Sequence, residues 1–207
     1  YINNQIFMSF HIRPYQTKDH NDVYTICLKT GDAGSDASNL YKDPNLLGHI
    51  YAGPYINLEP ESAFMLEDEI GICGYIIGAL DTQSFFNKVK LNWLPALQKQ
   101  YTEPSEDSKP WTKDEECIHL LFHPEKPELF PDYPSHLHID LLIRAQGQGQ
   151  GKIMMDHFMH YLQSQGSQGF HLGLGINNKR AFHFYKKYGL VELMRNEETI
   201  FMGLSLE

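Results

Sequence analysis

The stretch Gln146-Gly147-Gln148-Gly149-Gln150-Gly151-Lys152 governs how the rest of the chain is read. Before it, residues 136–143 carry the apolar side chains of a strand; after it, Met154, Met155, Phe158 and Leu162 fall on one face of a helix over 151–165, closed by Gly166. A glycine-rich turn between a strand and a helix gathers backbone N–H groups and the positive end of a helix dipole at one point, which suits a pyrophosphate. Glycine is expected there because side chains would hold phosphate oxygens off the N–H groups and because the turn calls for positive φ.

Spacing separates the rival readings of this loop. A P-loop needs glycine five residues before the Gly-Lys pair and Ser or Thr after it; Gln146 and Ile153 stand in those places. A dinucleotide fingerprint needs GxGxxG and an acid about 20 residues on, whereas these glycines run GxGxG and no acid lies between Asp156 and Glu192. A flexible turn without a ligand is the remaining alternative. Charge speaks for an anion: residues 144–187 hold six basic side chains (Arg144, Lys152, Lys179, Arg180, Lys186, Lys187) and one acid, Asp156, in a chain of net charge −9. That overall charge argues against nucleic acid as a partner.

Working outward, residues 170–174 alternate as a strand, 178–188 form a helix stopped at Gly189, and 191–194 with 199–204 form a hairpin. Upstream, 63–67 and 72–79 are two strands joined by Asp68, Glu69, Ile70 and Gly71. The chain opens with a strand at 10–13 and a helix from Asp19, followed by a long loop over 31–60 with one short helix near 45–51. Residues 81–134 hold seven of the eleven prolines and both tryptophans, Trp93 and Trp111, and read as an insertion with short helices. Cys27, Cys73 and Cys117 form neither a disulfide framework nor a zinc motif and are expected as buried thiols. No run nears the roughly 18 apolar residues of a membrane span, and Tyr1 to Asn4 lack a basic leader, so a cytoplasmic protein without membrane contact is expected.

Two motifs in sequence give the loop a family context. Gln146, Gly149 and Gly151 match [QR]-x-x-G-x-[GA], and Asn178, Ala181, Tyr185, Lys187 and Gly189 match N-x-x-A-x-x-x-Y-x-K-x-G. Both are found in this order in GNAT acetyltransferases, which the chain resembles over nearly its whole length outside 81–134. A narrower resemblance, carried by Cys27-Leu28-Lys29-Thr30, Asp43-Pro44-Asn45-Leu46-Leu47-Gly48, Gly53-Pro54-Tyr55, Cys73-Gly74-Tyr75 and Gly78-Ala79-Leu80-Asp81, is to the C-terminal acetyltransferase-like domain of O-GlcNAcase and its free-standing bacterial relatives. In the animal enzymes that domain is regarded as a pseudo-acetyltransferase with a degraded loop; here the glycines are intact.

The resemblance implies an α/β fold: one domain over 1–207 with a single mixed, mostly antiparallel twisted sheet of about six to seven strands flanked by helices. It also implies acetyl-CoA as cosubstrate, held by Leu141, Leu142, Ile143, Gln148, Gly149, Gln150, Gly151, Lys152, Asn178, Ala181 and Tyr185. Tyr185, by motif position, is the expected acid for the departing thiolate. The residues themselves single out Asp140, a carboxylate amid Ile139, Leu141 and Leu142, as base or acceptor anchor, with His136 and His138 on the same strand face as alternatives. Side chains at i, i+2 and i+4 on a strand spread about 13 Å, too far to share one ion, so no metal is expected.

The expected function is N-acetyl transfer to an unidentified amine, and the acidic remainder of the chain favours a basic acceptor. Segments 31–60 and 81–134, with Tyr41, Tyr51, Tyr55, Trp93 and Trp111, are the expected walls of the acceptor site. A homodimer is compatible with the sequence. The alternative function is a non-catalytic module that senses acetyl-CoA or contacts protein partners.

Overall fold

A computed structural model describes residues 9–206. Residues 1–4, read above for a leader, lie outside the described residues. Seven strands form one sheet in the order β1-β2-β3-β4-β5-β7-β6: β1 His11–Pro14, β2 Ala63–Glu67, β3 Ile72–Ala79, β4 Ser135–Leu141, β5 Gly169–Gly175, β6 Val191–Arg195 and β7 Thr199–Ser205. Every neighbouring pair is antiparallel except β4 and β5. The expected mixed, mostly antiparallel sheet is therefore the observed one.

Alternation along the strands divides the core in two. Ala63 and Met65 of β2 and Tyr75, Ile77 and Ala79 of β3 enter one cluster, while Phe64, Leu66, Ile76 and Leu137 enter the other, joined by Cys73 where a register shift opposite Leu66 and Glu67 breaks the alternation. Helix α1 (His20–Thr30) covers the first face with Val23, Ile26 and Cys27. Helix α7 (Gln150–Ser164) covers the second with Met154, Met155, Phe158 and Leu162, each worth about 1.5–3 kcal/mol when fully buried. Helix α8 (Lys179–Tyr188) adds Tyr185 to that second cluster.

Two expectations change. The segment 31–60 holds two helices rather than one, α2 (Leu46–Tyr51) and α3 (Gly53–Leu58). Pro54 sits in the first turn of α3, where its missing N–H costs nothing, and burial of Tyr55 and Ile56 holds the helix to the core. Segment 81–134 forms α4 (Thr82–Lys88), one turn of π-helix (Val89–Trp93), α5 (Leu94–Gln98) and α6 (Lys113–Phe122). Phe85, Leu94, Leu97, Cys117 and Leu121 from these helices lie in the same cluster as α1, so the insertion is core-forming. All three cysteines are free and buried.

Candidate active site

The parallel pair β4 and β5 is matched only at Ser135↔Phe170 and His136↔His171, although both strands run on. Beyond those residues the strands separate and open a cleft in the middle of the sheet. Leu142 N–H bonds the Cys73 carbonyl at 2.8 Å, and the alternation of the β3–β4 ladder then turns the backbone groups of Ile139 and Leu141 away from β3, toward the cleft. The Leu141 carbonyl accepts from Gln146 Nε2 at 2.7 Å. The strand ends at Leu141, not at residue 143: residues 143–145 form a 3-10 turn that leaves the Ile143 side chain 82% exposed.

The glycine loop lies at the mouth of this cleft. Gly147 and Gly149 have φ of 71° and 77°, and nothing lies within 4 Å of where their Cβ atoms would be. Gly151 differs: it sits in the first turn of α7, and a Cβ there would meet the Phe184 ring at 3.3 Å. Positive φ thus explains two glycines and close packing the third. The N–H groups of Gly147, Gln148, Gly149, Gln150 and Gly151 have no acceptor of ordinary geometry among the described residues. Gln146 Oε1 is buried without a partner there as well. An array of unspent donors at a helix N-terminus, in open space, fits a phosphate-bearing ligand.

Behind the loop is a cavity of about 380 Å³ lined by Thr30, Ser35, Leu142, Ile143, Gln146 and Arg180, among others. Arg180 makes no ion pair among the described residues, whereas Lys29 pairs with Asp36 at 2.7 Å. Arg144 also lines the cavity, but its guanidinium is engaged: Nε meets the fully buried Asp68 carboxylate at 2.7 Å, and Nη2 donates to the Ile72 carbonyl at 2.9 Å. Burial alone would raise the Asp68 pKa, but Arg144 and the N–H groups of Ile70 and Gly71 outweigh it and hold the carboxyl below its usual range. This pair ties the β2–β3 turn to the base of the glycine loop.

Several motif residues are spent locally. Lys152 pairs with Asp156 at 2.6 Å and lies over the Tyr188 ring, and Gln148 Nε2 donates to the Arg144 carbonyl at 2.6 Å. Gln150 Nε2 makes a long contact with the Gln148 carbonyl. Asn178 caps α8, its Oδ1 accepting from the Ala181 N–H at 3.1 Å. Two of the motif's matched positions, Asn178 and Ala181, therefore make a helix start.

Asp140 is part-buried on β4 and accepts a 2.5 Å hydrogen bond from Tyr75 Oη. Desolvation raises its pKa against the opposing pull of the Tyr75 and Thr30 hydroxyls. Thr30, which acts on Asp140, also lines the cavity. Tyr185 is buried; desolvation first, then the charge of Asp140, raises its phenol pKa and keeps it protonated. The structure thus brings Asp140 and Tyr185 within electrostatic reach of each other, at the splay between β4 and β5.

The two histidines part company. His136 is buried with both ring nitrogens engaged, Nε2 with Tyr55 Oη at 2.8 Å and Nδ1 with Thr82 Oγ1 at 2.9 Å. His138 is part-buried, with Nε2 3.1 Å from Tyr55 Oη and the Tyr51 ring beside it; desolvation pulls its pKa to about 4. Of the aromatic residues expected to wall the acceptor site, Tyr51 is on this side. Tyr55 is stacked on Phe85 in the core, Trp93 donates to the His49 carbonyl beside a separate cavity, and Trp111 packs on His119. His119 in the last turn of α6 and His123, the residue that ends it, are a pair the sequence reading did not single out, although i, i+4 spacing near a helix end brings two imidazoles together.

Comparison with known proteins agrees with this architecture. The chain is 34% identical over 205 residues to Protein O-GlcNAcase of Rattus norvegicus, and equally so to that of Mus musculus; the match takes 95% of this chain but only 22% of those proteins. The solved structure of SsHAT superposes with a TM-score of 0.88 at 37% identity, covering 96% of this chain and 99% of that one. The fold also matches yncA of Salmonella typhimurium, solved with its cofactor acetyl-CoA, at a TM-score of 0.56 and 12% identity, covering 96% of this chain and 94% of that one. The acetyltransferase (GNAT) family profile matches residues 37–190, and this chain belongs to that family.

Proposed function

We propose that the protein binds acetyl-CoA in the β4–β5 cleft and transfers its acetyl group directly to an amine. The carrying observation is the run of unpartnered N–H groups from Gly147 to Gly151, held open by two positive-φ glycines beside the splayed strands. Those groups would hold the pyrophosphate, with Ile139 and Leu141 offering backbone groups to the pantetheine arm and Arg180 free to meet a phosphate. Acetyl-CoA supplies the activated thioester; the chain supplies the proton handling.

Asp140 is the residue best placed to accept the amine proton, because its raised pKa makes it a stronger base than an ordinary carboxylate while Tyr75 keeps it oriented. His138, its pKa pulled down to about 4 by burial, has Nε2 engaged with Tyr55 Oη, and the ring nitrogens of His136 are both taken. Tyr185 keeps its proton and is the donor for the leaving thiolate. A basic acceptor suits the net charge of −9.

The test is calorimetric titration with acetyl-CoA, followed by thiol release with a panel of amines including polyamines and lysine peptides. Saturable binding that weakens in Gly149→Asp, with turnover falling by about 10²–10⁴ in Asp140→Asn and in Tyr185→Phe, is the expected result. Binding without thiol release across the panel would instead make the chain a cofactor-binding module. No binding by the folded protein would refute the cleft assignment.

A further inference from the structure

Away from the cleft, Glu103, His119 and His123 bring one donor atom each to within 4.8 Å of one another. His119 in the last turn of α6 and His123, the residue that follows the helix, have rings stacked at 4.5 Å, and Glu103 comes from the segment after α5. The Glu103 carboxylate reaches His123 Nε2 at 2.5 Å. The surrounding loop is fixed: Trp111 donates from its indole to the Ser105 carbonyl at 2.9 Å, packs its ring on His119 at 4.5 Å, and has Lys109 Nζ 4.2 Å from its ring centroid. A reciprocal capping box between Thr112 and Glu115 sets the start of α6 and hence the direction of both histidines.

The hydrogen bond between His123 and Glu103 accounts for two of the three residues. It leaves His119 unexplained, because its Nδ1 is buried and has no partner among the described residues. Buried polar atoms without partners are uncommon and call for a water, an ion or a ligand. Two imidazoles and one carboxylate form the donor set of a borderline divalent cation, with a fourth position left for water where Glu103 and His123 face solvent.

We propose that Glu103, His119 and His123 bind a zinc-class divalent cation, clipping the segment after α5 to the end of α6. The ion would replace the hydrogen bond between His123 and Glu103 and occupy the unpartnered ring nitrogen of His119. The site lies within the core-forming insertion and is independent of acetyl-CoA binding.

The experiment uses the tag-free full chain, stripped with chelator and titrated with Zn²⁺ against a chromophoric chelator, since eleven histidines make stoichiometry the first question. One Zn²⁺ per chain is expected, with affinity falling at least about tenfold in His119→Gln and in His123→Gln and more in the double variant. Zn²⁺ should raise the melting temperature of the unaltered protein and not of the double variant. Because a variant can fold poorly, Co²⁺ is added to the unaltered protein as a second probe: it should give a d–d absorption band and quench a tryptophan signal that is missing in Trp111→Phe. Absence of a one-to-one site, or affinity unchanged in a folded double variant, would overturn the proposal.

Discussion

Tyr75 and Asp140 are register partners across β3 and β4, and Tyr75 Oη donates to Asp140 Oδ2 at 2.5 Å. A hydrogen bond to the charged form favours ionisation, so Tyr75 restrains a pKa that burial drives upward. In Tyr75→Phe the restraint is gone and Asp140 should titrate higher still. Hydrogen bonds to charged groups are worth about 1.5–3 kcal/mol, so the acid limb of the kcat profile should move clearly to higher pH. An unmoved limb would remove Asp140 from the base role.

Burial lowers the pKa of His136, His138 and His171, and His138 to about 4 from its ordinary 6.5. A folded state that binds fewer protons than the unfolded state is stable above the unfolded pKa and loses that stability as pH falls through the window down to the folded pKa. Denaturant melts should therefore show full stability at pH 7 and a decline from about pH 6.5 toward pH 4. His138 is flanked by Tyr51, Tyr55 and His136, none of them an anion at these pH values. His138→Gln should flatten part of the decline; an identical slope would show that other groups carry it.

Arg144 and Asp68 make a pair in which the acid is wholly buried. Removing one partner of a buried pair strands the other, at a cost of about 3–5 kcal/mol. Arg144→Met is expected to lower stability at the lower end of that range, because Arg144 itself is 25% exposed, and to weaken acetyl-CoA binding by loosening the glycine loop. Thermal melts and calorimetry on one preparation check both effects. Because the Asp68 pKa is depressed, the lost stability is the part present near neutral pH and absent in strong acid.

Two glycines should lose stability for different reasons and by different amounts. At Gly149 there is room for a Cβ but φ is +77°, so Gly149→Ala should cost about 1 kcal/mol of stability while acetyl-CoA affinity falls further than that. At Gly78 the backbone is ordinary but a Cβ would run into the His136 carbonyl oxygen and the Phe158 ring. Gly78→Ala should destabilise by about 3 kcal/mol. Equal losses at the two sites would mean that space and backbone strain are not separate causes.

The sequence by itself determined the order of the elements and the place of the glycine loop, since both rest on local patterns: strand alternation, helical spacing, and glycines at fixed intervals. The hairpin of β2 and β3 was legible to the residue because apolar alternation and the turn at 68–71 agree. It also put Asp140 on a strand face with His136 and His138, because a two-residue period needs no tertiary contact. Only the tertiary structure decided what each could do. Tyr55 and Thr82, distant in sequence, engage the ring of His136; Tyr75 orients Asp140; Asp156 draws Lys152 aside. The splay of β4 from β5 and the meeting of Glu103 with His119 and His123 are likewise long-range placements, set by how helices pack on the sheet. Protonation and partner choice depend on burial and on neighbours from other elements, and these exist only once the chain has folded.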